Sequence, residues 1–119
     1  MNKTIESPTL VNTYWKLTKL DGREVITPPR EKEAHFILDF QHCIKGFSGC
    51  NKIDGSFHAD HRAISIQLEK PNRLCPDMKT DEAFRKVLQN ANVFKMEGKR
   101  LILFQDNIYL AEFEAVYLR

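Results

Sequence analysis

The stretch GFSGCNKIDGSF, residues 46–57, decides how the rest of the chain is read. It holds three glycines, a cysteine and an asparagine, inside a region that otherwise alternates like strand. Gly46, Gly49 and Gly55 permit backbone angles and close approaches that a residue with a Cβ resists. Asn51 tolerates the left-handed region and can bond its own backbone two residues on. These are the materials of a sharply bent strand followed by a turn, and a sheet that closes on itself needs such corners. The segment therefore reads as structural. Its Cys50 is open between a nucleophile, a metal ligand, a buried thiol and half of a disulfide.

The flanks supply the sheet. Upstream, AHFILDF (residues 34–40) puts Phe36, Leu38 and Phe40 on one face and His35, Ile37 and Asp39 on the other. Before it, WKLTKL places Trp15 and Leu17 together. Asp21-Gly22 then marks a turn into a short strand, Arg23 to Ile26, stopped by Pro28-Pro29. Residues 30–33 read as a solvated connection. Cys43 to Phe47 is the next strand, and another begins to rebuild at Phe57–Ala59. AISIQL (63–68) sends Ile64, Ile66 and Leu68 inward.

One helix interrupts the series. Thr80 suits an N-cap, with Asp81 and Glu82 in the first turn near the positive end of the dipole. Phe84, Val87, Leu88 and Ala91 then fall at i, i+3, i+4 and i+7, a single apolar face. Strands resume beyond it. Glu97-Gly98 and Asp106-Asn107 mark two hairpins, the second leading into IYLAEFEAVYL. The expectation is mainly β (α+β): a small, antiparallel, strongly curved barrel-like sheet of about eight strands, with one helix over an end or face. Trp15, Phe36, Leu38, Phe40, Ile64, Ile66, Leu68, Phe84 and Leu88 are its expected core. Residues 1–12 read as an N-terminal lead-in and 13–119 as one domain.

Bulk properties narrow the function classes. The 119 residues carry 18 basic and 16 acidic side chains, a formal charge of +2 with no block of like charge. That balance argues against nucleic acid, whose ligands leave a basic stripe. No run of 18 apolar residues spans a membrane, and the first residues lack the apolar core of a signal peptide.

Gly46-Phe47-Ser48-Gly49 shares part of a nucleophile elbow, but that motif needs Gly-x-Ser-x-Gly between strand and helix, and Cys50 stands in its last place. A catalytic Cys50 would need a histidine beside it and a lowered thiol pKa. The chain has four histidines, and no spacing marks one as the partner. His58 and His61 form H-x-x-H, yet in a hairpin turn rather than on a helix face. They read as exposed polar residues, and neither metal nor cofactor is expected. An enzyme using Cys50 with a histidine, and a cytosolic structural or interaction module, are the competing classes.

Several of these pieces fall in a familiar order. Trp15-x-Leu17, the strand ending at Phe40, Gly46-Phe47-x-Gly49-Cys50-Asn51 and Phe57 are similar to the opening half of the META domain, the family that includes the heat-shock protein HslJ. Cys75 ahead of a helix carrying Glu82, Phe84 and Leu88 resembles its middle. Gly98-x-x-Leu101-x-Leu103 with Leu110-Ala111-x-Phe113 resembles its end. The resemblance spans about residues 14–113. Where the family commonly has Thr-x-Met-x-Cys, this chain has Pro71 and Arg73 before Cys75, and Cys43 has no family counterpart.

The resemblance implies a small barrel with one helix, in a bacterial envelope protein often carried as a lipoprotein. It also implies a link to heat stress and novobiocin tolerance, with no assigned catalytic residues. The expected behaviour is a monomer that binds a protein or a small hydrophobic partner without catalysis. Any membrane contact would come through a lipid anchor lying outside this sequence. Trp15, Gly46, Gly49, Cys50, Asn51 and Cys75 are then structural. A Cys50–Cys75 disulfide would pin the helix's entry to the sheet in an oxidising compartment. Two buried, reduced thiols are the alternative.

Overall fold

The computed structural model describes residues 8–27, 32–71 and 79–116. Tyr14–Leu20 forms β1, and the Asp21-Gly22 turn, with both residues at positive φ (52° and 82°), reverses it into β2, Arg23–Glu24. Positive φ at both central positions is what a tight hairpin turn demands. The second strand is shorter than expected. Val25 still donates its amide to Thr18, but Ile26 turns out to solvent at 81% exposure.

Strand β3 (His35–Leu38), β4 (Cys43–Phe47), β5 (Lys52–Asp60) and β6 (Ala63–Leu68) follow as an antiparallel meander. Helix α1 (Lys79–Asn90) leads to β7 (Val93–Glu97), β8 (Arg100–Gln105) and β9 (Ile108–Val116). β9 returns to pair with β1 from Tyr14↔Val116 to Leu20↔Ala111, so eight strands close into a barrel with β2 as a short flap. The seam is thinnest between β6 and β7, which share one register pair, Ala63↔Val93. The helix bridges the strand ends on either side of that seam. Because β6 finishes and β7 begins at one end of the barrel, α1 closes that end. There it drives Phe84, Val87 and Leu88 into the core.

An eight-stranded barrel has an interior about wide enough for side chains to fill. Trp15, Phe36, Phe84 and Phe113, all at 0% exposure, do so here. The Phe113 ring meets Phe36 edge-on at 4.8 Å and Phe84 at 6.0 Å, contacts that join β3, β9 and the helix.

Further expectations are corrected. Phe40 is not core but 73% exposed. Strand β3 stops at Leu38, and the Asp39 carboxylate then accepts the amides of Gln41 and Cys43, so Phe40 rides on a turn and the period of two is lost. The glycine-rich stretch is not one long corner, since Gly46 lies in β4 and β5 runs unbroken through Gly55 from Lys52. Only residues 48–51 turn. Thr80 does not cap the helix, which already includes Lys79. Finally, the lead-in is not loose from Pro8 onward. Leu10 and Val11 pack on the core, Trp15 donates its indole N–H to the Leu10 carbonyl at 3.0 Å, and the Asn12 amide bonds the Leu38 carbonyl. Leu68 is only partly buried, at the edge of the core.

Candidate functional site

The sharpest local geometry lies where the β4–β5 turn meets the helix. The Ser48 amide donates to the Asn51 carbonyl at 2.9 Å and closes the turn, with Gly49 between them at φ 101°. A side chain would strain that backbone, which explains the glycine. Ser48 Oγ accepts the amides of Asn51 (3.0 Å) and Cys50 (3.3 Å) and donates its own proton to Asp81 Oδ1 in a short hydrogen bond. Asp81 sits in the first turn of α1 at 1% exposure. One turn on, Arg85 donates from Nε to Asp81 Oδ2 at 3.1 Å. Its other nitrogens reach the carbonyls of Glu69 (3.1 Å) and Lys52 (2.8 Å).

Each element of this cluster answers a physical demand. A buried carboxylate needs a counter-charge and filled lone pairs. Arg85 supplies the charge, Ser48 and the helix N-terminus supply polar partners, and among the described residues no buried side-chain polar atom lacks a hydrogen bond. The same guanidinium ties the start of β5 and the residue after β6 to the helix. The glycines on either side are fixed by close approach. A Cβ on Gly46 would strike the His35 carbonyl and come within 2.8 Å of Phe36 Cα; one on Gly55 would meet the Gln67 carbonyl and, at 2.9 Å, Leu68 Cα.

The motif residues singled out in the sequence thus divide. Trp15 is core, and Gly46, Gly49 and Asn51 shape the turn, with Asn51 buried at 3% exposure. Cys50 is disulfide-bonded and Cys43 carries a free thiol. Cys75 lies outside the described residues. His58 and His61 separate: His58 is on β5 with its ring 6.5 Å from that of His42, while His61 occupies the following turn beside Asp60. The sequence places Asp81 in the helix's first turn for its dipole alone and gives Arg85 no role, whereas both are buried and paired. Their i, i+4 spacing was the available signal.

Two outward-facing clusters add to the inventory. Glu112, at 4% exposure, gathers Arg100 in a short ion pair, Lys19 at 3.8 Å and the Tyr109 hydroxyl at 2.9 Å. Partial burial, the bond to Glu112 and its negative charge raise the Tyr109 pKa to about 12. On the β1–β3 face, Tyr14 stacks on His35 at 4.2 Å and donates to Glu33 at 3.1 Å, and burial with that carboxylate likewise raises its pKa to about 12. Exposed Glu97 is held below the usual carboxylate range, chiefly by its hydrogen bond to Lys95. A cleft of about 220 Å³ lies at the helix-capped end, between Ala83, Lys86, Val87 and Asn90 of α1 and Asp21, Gln105 and Leu110.

A helix-capped eight-stranded barrel, with a Gly-Cys-Asn turn locked to its helix, defines a specific class of small domain. The sequence matches the META domain over residues 8–116, and the chain belongs to that family. Its fold is shared with a DUF4847 family protein from Bacteroides vulgatus, at 13% identity over 92% of this chain and 96% of that one, with a TM-score of 0.70. A protein from Burkholderia xenovorans, known by NMR, superposes with a TM-score of 0.69 at 18% identity over 98% and 97% of the two chains. No curated protein sequence matches at a significant level.

Proposed function

We propose that this META domain is a non-enzymatic protein-binding module of the bacterial envelope, serving the stress response that its HslJ-like resemblance implies. The observation that carries the binding role is the cleft at the helix-capped end. Ala83, Val87 and Leu110 give it an apolar floor, Asp21, Lys86, Asn90 and Gln105 give it a polar rim, and exposed Ile108 pairs in register with Gln105 at its edge. Small-molecule pockets usually run to about 300–1,000 Å³. A cleft of about 220 Å³ is too small for most of them and suits one large apolar side chain of a protein partner.

Two further observations support the reading. The reactive-looking groups of the Gly-Cys-Asn turn are committed to structure: Ser48 is bonded to Asp81 at 0% exposure and Cys50 is disulfide-bonded. A disulfide persists in oxidising compartments such as the periplasm. The test is survival of heat and novobiocin in a bacterial strain lacking its own copy of the gene. Wild-type protein restores survival, and Ile108→Asp combined with Lys86→Glu, both on exposed positions, abolishes it without changing the melting temperature. Full survival with that variant would remove the cleft from the function. Failure of wild type to restore survival would remove the stress role.

A further inference from the structure

His42 and His58 are far apart in sequence, and the β4–β5 ladder brings them together. The Phe57 amide donates to the His42 carbonyl at 3.0 Å, which holds the bend that enters β4 against β5 next to His58. Their rings stand 6.5 Å apart at 62°, and both side chains are exposed. The His42 backbone is held in turn by the Asp39 loop, through the His42 amide on the Asp39 carbonyl at 3.2 Å and the Asp39 carboxylate on the amides to either side. So two exposed imidazoles project from anchored backbone, that of His42 edge-on to Phe57 at 5.9 Å.

We propose that His42 and His58 form a two-histidine site for a borderline divalent cation such as Zn²⁺ or Ni²⁺. Imidazole is the ligand such ions favour. Rings that share an ion stand somewhat closer than 6.5 Å, and rotation of two exposed side chains closes the difference. Two protein ligands leave coordination positions open. The groove beside His58, about 220 Å³ between Ser56, Ser65 and Gln67, gives room for water or an outside ligand to fill them. Among the described residues no three His, Cys, Asp or Glu side chains converge on one point, so the protein supplies two ligands and no more. The Cys43 thiol is directed to the Gln41 carbonyl at 3.8 Å, and His61 is engaged by Asp60 at 3.6 Å, so neither belongs to the pair.

The experiment is a Zn²⁺ titration of the whole chain, followed by calorimetry and by the imidazole NMR signals. The ring signals of His42 and His58 shift together and saturate at one ion per chain. His42→Ala and His58→Ala each weaken binding by more than the roughly 10–100-fold that loss of an outer partner costs a metal site. His61→Ala and Cys43→Ser leave it unchanged. Rings that do not respond to Zn²⁺ at millimolar concentration, or equal loss of binding in His61→Ala or Cys43→Ser, would overturn the assignment.

Discussion

The hydroxyl of Ser48 donates to the carboxylate of Asp81, joining the β4–β5 turn to the first turn of the helix across 33 residues of sequence. That carboxylate also balances Arg85, whose remaining nitrogens bond the carbonyls of Lys52 and Glu69. Removing one partner of a buried ion pair leaves the other charge stranded, at about 3–5 kcal/mol. Asp81→Ala should therefore destabilise the fold by about that much in urea unfolding, because Arg85 is only 8% exposed. A loss below about 1 kcal/mol, the scale of a surface pair, would show that solvent reaches the guanidinium.

Phe84 tests how the helix closes the barrel. Its ring is fully buried and lies 6.0 Å from Phe113. Phe84→Ala should cost roughly 3–5 kcal/mol in chemical denaturation. A change near zero would mean that the apolar face of α1 leaves the core in solution.

The tyrosines set an alkaline limit. Tyr14 and Tyr109 ionise near pH 12 in the folded protein, above the ordinary value of 10.0, because burial and the carboxylates of Glu33 and Glu112 favour the neutral phenol. A pKa raised on folding contributes stability that is complete below the unfolded value and disappears as pH rises through the folded one. Stability should thus fall between about pH 10 and pH 12. Subtracting the phenolate absorbance titration of Tyr14→Phe from that of wild type isolates Tyr14, and Glu33→Gln should lower its midpoint. An unchanged midpoint in Glu33→Gln would contradict the assigned cause.

Thiol chemistry tests the cysteine framework. Cys50 is bonded and Cys43 is free. Protein prepared under oxidising conditions, unfolded without reductant and labelled, should show one thiol, mapping to Cys43. Peptide mapping should place Cys50 with Cys75, as the family resemblance implies. A bridge closing about 25 residues contributes roughly 3 kcal/mol on the chain-entropy account, so reduction should lower the melting temperature. Three free thiols would end the pairing.

Much of this barrel is legible from residues alone. Ile64 and Ile66 alternate with Ser65 and Gln67, Phe84, Val87 and Leu88 share a helical face, and Asp21-Gly22 and Asp106-Asn107 are hairpin signals; each lands where its periodicity or turn chemistry places it. Phe40 does not, because alternation carries no mark of where pairing ends, and the stop after Leu38 comes from a side chain of Asp39 bonding backbone ahead of it. Glycine disfavours strand, so the sequence around Gly55 reads as turn. What keeps it in β5 is a neighbouring strand that passes too close for a Cβ, a fact of tertiary structure.

The site was less legible than the fold. The Gly-Cys-Asn turn reads as structural from its residues, but nothing local marks Asp81 as its partner or Arg85 as the partner of Asp81. Their burial depends on where the helix docks, and local sequence does not encode that. The histidines show the same limit. H-x-x-H drew notice to His61, whereas the ladder sets His58 beside His42.

The Gly-Phe-Ser-Gly-Cys-Asn turn clamps the helix to the sheet through Ser48 and Asp81. A double-mutant cycle between Ser48→Ala and Asp81→Ala, read by urea unfolding of both single variants and the double, tests it most directly. A hydrogen bond to a charged group is worth about 1.5–3 kcal/mol, and the coupling should be of that size. Losses that add to within about 0.5 kcal/mol would mean that the two residues stabilise the fold independently, and would contradict the clamp.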